Sequence, residues 1–445
     1  MNFKLNIYTM KKTLLITITF LLGLLIQSCS NNDENEALKP VNFSVSIKYD
    51  ETFNNIITKK SDVTIVNSET GNKYTVQSDD NGTAQFNQIL PGNYSVSATK
   101  VMQSAEFTET FGYTPSETEI NFNASQSNIT VNTETTPVTL IMKTSKVGDF
   151  VLKQIYYGGS DTKKGATFRD QFIEIYNNSN TVQYADGLYM AQLTGSTTTT
   201  VAAYSLANGQ FDWSKAEGMT EGNSANTNYV YGINIIKIPG NGTQYPVQPG
   251  KSIVIAQNAI NHKSNYIDNN GKAVSILNPE LTVDLSNADF ESFLGTFSGD
   301  LYQYDIQNPA VPDVEIAYWG NSNNDMILDA NGRQAYAIFK MTDAEFAALK
   351  KYKNPKGDKN LFLQIPNSVL IDGVDTTKDL GSGLIPKKLP AQIDGGNTYL
   401  PSGNYSSKSV IRRTKTTIAG RIILQDTNNS TNDFVEITAN PRGFN

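Results

Sequence analysis

The sequence predicts a mainly β protein. An N-terminal β-sandwich spans residues 41–145, and a larger β-sandwich with short helical insertions spans 147–445. Short segments such as FSVSIKY, SDVTIVN and KYTVQS alternate apolar and polar side chains, as strands with one buried face require. Turn formers punctuate them: Gly71-Asn72, Asp80-Asn81-Gly82 and Pro91-Gly92 tolerate positive φ or reverse the chain. Composition permits a core, since 38% of the 445 residues are hydrophobic and only 18% charged, unlike a solvated tail. At ~100–200 residues per domain the length holds two or three domains.

Residues 1–28 read as a signal peptide. Met10, the preferred start, precedes Lys11 and Lys12 and then an apolar run of 13 residues, 14–26, too short for a bilayer of ~30 Å. The run ends in LLIQSC, which resembles the bacterial lipobox and implies acylation of Cys29, the only cysteine in the chain. Two or three acyl chains would hold the protein at a membrane, each buried CH₂ contributing ~0.8 kcal/mol. Residues 29–40, SNNDENEALKP after the Cys, form a polar tether; Asp33, Glu34 and Glu36 resemble the surface-export signal of Bacteroidetes lipoproteins. The expected location is therefore the outer membrane, lipid-anchored and facing outward, with a merely acidic spacer facing the periplasm as the alternative. Without residues 1–28 the chain has 33 basic and 43 acidic side chains, a balance of −10, which argues against nucleic acid as a partner.

Within 41–145, TAQFNQILPGNYSVSATK follows the Asp-Asn-Gly turn. The pattern NGxxxFxxxxPGxYxVxA resembles prealbumin-like, carboxypeptidase-regulatory and collagen-adhesin B-type sandwiches of bacterial surface proteins. Some such domains carry a Lys-Asn isopeptide bond; Lys48 is placed as a donor, but VTLIMKT offers no Asn acceptor. Asp79, Asp80 and Asn81 lack the spacing and distal Glu of a calcium loop and read as a hairpin turn.

From residue 147, GDFVLKQIYYGGS and then, after a polar excursion, RDQFIEIYNNSNTVQYADGLYM supply strands and turns. These segments, with YPVQPGKSIVIAQNAINH and SVIRRTKTTIAGRIILQDTNNSTNDFVEITANPRG, resemble the lamin-tail domain, an immunoglobulin-like sandwich. The same stretch resembles the uncharacterised lipoprotein family DUF4876 of Bacteroidetes. Between the blocks, NADFESFLG (287–295) and TDAEFAALKKYK (342–353) predict short helices, the second with Thr342 and Glu345 at capping-box spacing and lysines in its last turn.

Candidate chemistry is sparse. One Cys excludes an internal disulfide, and one His excludes a two-imidazole metal site. His262 has no GxSxG elbow to serve. Asp325 and Asp329 sit among turn formers in NSNNDMILDANGR and read as turn residues. Arg412, Arg413 and Lys415 form a basic cluster read as a solvated strand face. The strands bearing Glu174 and Glu436 are placed in one sheet region. Asp375-Thr376-Thr377 resembles a Bacteroidetes O-glycosylation pattern. No catalytic residue, cofactor or metal ligand is predicted.

Binding suits the sequence better. Trp213 and Trp319 lie beside turn-forming residues, and Tyr156, Tyr157, Tyr189, Tyr302 and Tyr304 add amphipathic rings that serve protein contacts and sugar stacking alike. Trp319, where the strand VEIAY exits into GNSNND, is the preferred contact candidate and Trp213 the second. The resemblance to Bacteroidetes surface lipoproteins implies a TonB-dependent transporter as partner. The expected function is thus a non-catalytic binding or accessory module in nutrient or metal uptake, with a glycan as a further candidate ligand. The alternatives are a carboxylate-dependent glycan hydrolase and a structural adhesin or envelope scaffold.

Overall fold

The computed structural model describes residues 39–445 apart from 51–52, 54, 113–118, 146–148, 199–201, 358, 379–384 and 419. The signal peptide, Cys29 and nearly all of the tether lie outside the described residues. The first seven strands are β1 (Val41–Tyr49), β2 (Asp62–Asn67), β3 (Lys73–Gln77), β4 (Thr83–Ile89), β5 (Gly92–Gln103), β6 (Glu119–Val131) and β7 (Val138–Ser145). They pair in the order β3-β2-β5-β6-β7-β1-β4. Residues Val138–Met142 of β7 run parallel to β1, whereas Lys143–Ser145 pair antiparallel with β6. One strand thereby links two layers around one core that holds Val45, Ile47, Val63, Phe86, Val96 and Met142. Strand β1 alternates buried and more exposed residues along its length, as its sequence predicts.

The Asp79 turn is a hairpin turn, as read: its Oδ1 accepts from the Asn81 and Thr83 backbone N–H groups at 2.9 and 2.8 Å. A helix at Ser104–Phe111 was not anticipated in this β unit. Its Phe107 and Phe111, one turn apart, meet the Phe53 ring at 5.9 and 4.7 Å and close the end of the core. Tertiary burial of that aromatic stripe, rather than propensity, explains the helix.

The second sandwich uses β8 (Phe150–Tyr156), β9 (Phe172–Asn177), β10 (Gln183–Tyr184), β11 (Leu188–Leu193), β12 (Tyr229–Lys237), β13 (Pro246–Val247), β14 (Ser252–Ala256), β15 (Tyr266–Ile267) and β16 (Ala273–Val274). It continues with β17 (Phe290–Glu291), β18 (Glu315–Trp319), β19 (Ala335–Lys340), β20 (Lys351–Lys353), β21 (Leu361–Pro366), β22 (Leu370–Asp375), β23 (Lys408–Arg412), β24 (Thr414–Ile418), β25 (Arg421–Leu424) and β26 (Phe434–Thr438). One layer runs β20-β21-β12-β11-β19-β22, with β18 also on β12; the other runs β17-β14-β9-β8-β23-β26. Leu152, Ile173, Met190, Ile255, Ile338 and Val410 fill the space between them. Further apolar clusters cover the outer faces, so β8, β9 and β11 are buried along their whole length, with polar Lys153, Glu174 and Gln192 buried among their apolar residues.

The helix read at 287–295 is replaced by the short strand β17, parallel to β14, and a single helical turn at Gly295–Ser298. Phe290 and Leu294 are drawn into the intersheet core, and the Asp289 carboxylate accepts from Val254 N–H at 2.7 Å, fixing the segment extended. The second helix exists as Asp343–Ala347, with the capping box of Thr342 and Glu345 formed; its lysines lie beyond it, Lys351 and Lys353 in β20.

Val41–Asn445 form one compact unit in which a polar seam joins the two sandwiches. Asn121 and Asn123 of β6 donate to the carbonyls of Asp426 and Thr427 at 3.0 and 2.8 Å. Thr99 of β5 accepts from the Asn429 side-chain amide at 3.0 Å.

Candidate functional site

The loop between β8 and β9, GGSDTKKGATFRD, leaves the sandwich at two glycines. Gly159 has φ 70°, and a Cβ there would lie 2.1 Å from the Thr167 carbonyl oxygen, so only glycine fits. The loop then closes on itself: Ser160 N–H donates to Thr167 O at 2.5 Å, and Asp161 Oδ1 accepts from Lys163 and Lys164 N–H at 2.8 and 2.7 Å. Thr167 itself has φ 62°, a strained setting for a β-branched residue. That twist sets the direction of the two residues that follow, Phe168 and Arg169.

Arg169 is the centre of the site. Its guanidinium lies 4.6 Å from the Phe168 ring centroid, 4.5 Å from Tyr304 and 5.8 Å from Tyr302, and it is ion-paired with buried Asp325. Gln257 donates to the same Asp325 oxygen at 3.3 Å.

The facing wall is the β15–β16 hairpin. Asp268 Oδ1 accepts from Asn270 and Lys272 N–H at 3.0 and 2.8 Å, and Oδ2 from the Gln303 amide at 2.6 Å. Asn269 donates to the carbonyls of Tyr302 and Asp305 at 2.7 and 2.8 Å, tying the Tyr302–Tyr304 strip to the hairpin. Between the walls lies a cavity of about 400 Å³, lined among others by Lys163, Phe168, Arg169, Tyr266, Lys272 and Tyr304. Its size lies within the ~300–1,000 Å³ of small-ligand clefts.

Behind this wall, burial pushes the carboxyls of Glu291 and Asp305 up to about 7 each. Glu291 is held by the N–H groups of Ala259 and Asn308 at 3.0 and 2.6 Å. Both acids are buried and neither lines the cavity. His262 is fully buried too; burial lowers its imidazole to about 4, and Nε2 lies 3.1 Å from the Asn258 carbonyl.

Several sequence candidates have other places. Trp213 is a core residue rather than a contact: it is 2% exposed and stacks on Tyr231 at 4.0 Å. The FDWSKAEG context, polar around one apolar pair, hides that its ring turns inward. Trp319 is half-buried against the intersheet core, and its indole N–H donates to Asn323 O at 2.8 Å. Beside it a second cleft of about 450 Å³ is lined by Asn321, Gln334, Lys356 and Phe362. Tyr156, Tyr157 and Tyr189 are buried, while Tyr302 and Tyr304 reach the Arg169 site.

Asp325 and Asp329 serve different arginines, Arg169 and Arg333. Among the described residues no group of three or more His, Cys, Asp or Glu side chains is placed to hold a metal ion. The solvated basic cluster does not form. Arg412 is buried among three carboxylates, Arg413 is exposed, and Lys415 pairs with Glu119 at 3.1 Å. Glu174 and Glu436 do share a sheet, on β9 and β26, but β8 and β23 separate them. Three strand spacings are roughly 14 Å, beyond the ~5–9.5 Å of paired glycosidase acids. Glu174 is instead paired with Lys153 at 2.8 Å inside the fold. Thr376 and Thr377 are buried, and the Thr376 hydroxyl donates to Gln334 O at 2.6 Å, which withholds both from glycosylation in the folded chain.

The residues missed by sequence reasoning are Lys163, Phe168, Arg169, Tyr266 and Lys272. For Lys163, Phe168 and Arg169 the signal was the polar excursion after Gly158-Gly159, where a Phe-Arg pair stands among lysines and threonines.

The fold and cleft define a two-sandwich β protein with an aromatic and cationic pocket beside its larger sandwich. Residues 248–441 match the family model described as a protein of unknown function, DUF4876. The chain also resembles the crystal structure of a DUF4876 family protein from Bacteroides thetaiotaomicron, at 27% identity and a TM-score of 0.52, over 89% of this chain and 95% of that one. The chain is thus similar to the DUF4876 family over these residues. No curated protein matches it.

Proposed function

We propose that the protein is a non-catalytic binding module, held in the outer membrane by lipid on Cys29 and displayed at the cell surface. It acts as an accessory to a TonB-dependent transporter in nutrient or metal uptake. The observation that carries the binding reading is the Arg169 pocket: a rigid loop and a hairpin hold half-exposed rings and cations around an open cavity. Its one lining carboxylate, Asp268, is already engaged by two backbone N–H groups and Gln303, which favours recognition over acid-base chemistry. The lipobox-like LLIQSC and the acidic tether support the location.

The test is affinity purification of the native lipoprotein from gently solubilised outer membranes, with protease shaving of intact cells. A stoichiometric β-barrel transporter is the expected companion. Recovery of the protein alone overturns the accessory role, and protection from protease overturns surface display. Cys29→Ser is expected to release the protein from membranes without detergent; retention of this variant overturns the lipid anchor.

A further inference from the structure

We infer that the Arg169 pocket takes an acidic saccharide, its sugar face stacked on the Tyr266 and Tyr304 side of the cleft and its carboxylate met by Lys163 and Lys272. This rests on the binding reading above and names the ligand class of the same pocket.

The lining alternates ring faces with hydroxyls: Phe168, Tyr266 and Tyr304 stand beside Thr162, Thr167 and Ser275. A sugar presents the complementary pair, an apolar C–H face and a rim of hydroxyl donors and acceptors. The rings are already fixed, because Tyr304 stacks on a guanidinium that Asp325 clamps, and Asn269 ties the neighbouring backbone to the hairpin. Little side-chain freedom remains to be lost on binding.

Charge selects the acid. In a chain of net charge −7, Lys163 and Lys272 line one cavity, both exposed, and among the described residues neither forms an ion pair. The charge of Arg169 is offset by Asp325, and Asp268, the one acid among the described lining residues, is held by the Asn270 and Lys272 N–H groups and the Gln303 amide. With Arg169 offset by Asp325 and one lysine offset by Asp268, the lining keeps a net positive charge, and an anionic ligand is complementary to it. The strained φ of Thr167 is a second sign of a built site: the loop holds an unfavourable backbone where Phe168 and Arg169 enter the cleft.

The acylated full-length protein in detergent is titrated calorimetrically with digalacturonate, a hyaluronan disaccharide and neutral digalactose, at low and high salt. At least one acidic disaccharide is expected to bind tenfold or more tightly than digalactose, with the difference shrinking at high salt. The double variant Lys163→Gln/Lys272→Gln is expected to weaken acidic-disaccharide binding at least fivefold while leaving digalactose binding and the thermal transition unchanged. Tyr304→Phe keeps the ring and should keep binding; Tyr304→Ala should lower it for all saccharides. Equal affinity for acidic and neutral saccharides overturns the acidic assignment and leaves the binding reading standing. No saccharide binding, with a transporter still co-purifying, overturns the assignment alone; absence of both overturns the assignment and the accessory reading together.

Discussion

Arg412 and Asp372 face each other at 2.7 Å where neither side chain is more than 2% exposed. The same guanidinium reaches Asp426 at 3.0 Å and Asp433 at 3.4 Å, and its Nε donates to Leu152 O at 3.0 Å. Strands β22, β8 and β23 and the 426–433 loop thus converge on one cation. Because Asp426 and Thr427 also accept from Asn121 and Asn123, the cluster supports the seam between the sandwiches. Burial pushes the Asp433 carboxyl up against the pull of Arg412, as expected where one cation serves three carboxylates.

Arg412→Ala should therefore destabilise the fold strongly, by about 3–5 kcal/mol, since it leaves buried carboxylates without their counter-charge. Urea denaturation checks it. A loss below about 1 kcal/mol would mean that the buried carboxylates do not depend on this cation, whereas a variant whose stability falls more steeply than the parent's as pH rises would show that they take up protons in its place.

The sandwich architecture was readable because strands such as β1 and β5 advertise themselves by alternation and by the Asp-Asn-Gly and Pro-Gly turns. Arg412 was not readable. In SVIRRTKTTI the two arginines look equivalent, and only strand parity and the arrival of Asp372 from 40 residues away turn one inward and leave Arg413 outside. The pocket was hidden for the same reason: Phe168, Tyr266 and Tyr304 are far apart in sequence, and the loop that aligns them carries no regular period.

Gly159→Ala tests the loop that shapes the pocket. The added Cβ would meet the Thr167 carbonyl at 2.1 Å and sit at φ 70°, so the 158–170 segment has to move. A loss of about 2 kcal/mol or more in stability is expected from strain of this kind, together with loss of ligand binding. Unchanged proteolytic sensitivity of the loop and unchanged stability would count against the rigid-loop account.

Stability should respond to pH through Asp305 and Glu291. Each keeps its proton up to about 7 in the folded chain, against roughly 4 when unfolded. The folded state then binds more protons between those values, so this contribution is present at about pH 4 and is lost as pH rises to about 7. His262 acts in the opposite sense: with its folded value at about 4, stability rises with pH until the unfolded imidazole loses its proton near ~6.5. Asp170, likewise pushed up to about 7 by burial, and the raised Asp433 act with these two carboxyls, and together they outweigh the one imidazole and leave a net fall from about pH 5 to 7. Asp305→Asn keeps an acceptor for the Leu294 N–H, now at 2.8 Å, and removes the charge. It should match the parent near pH ~3.5, where the unfolded carboxyl is still protonated, and exceed it at pH 8 by about 4 kcal/mol. A variant less stable at both values would mean that Asp305 is held ionised.

The two tryptophans should separate when each is replaced by alanine. Trp213 stacks on Tyr231 at 4.0 Å and meets Phe211 at 5.5 Å and Phe362 at 5.2 Å, so its removal opens a cavity in a closed aromatic cluster. A loss of about 3–5 kcal/mol is expected, the range for deleting a buried aromatic. Trp319 is half-buried and contributes one hydrogen bond through Nε1, so its loss should be smaller, about 1–2 kcal/mol. If it also serves as a contact, partner capture should fall by more than that stability change explains, whereas Trp213→Ala should affect capture only through unfolding. Capture measured at a temperature where both variants remain folded makes the comparison. Equal retention by both variants removes Trp319 from the contact surface and leaves it as an edge of the intersheet core.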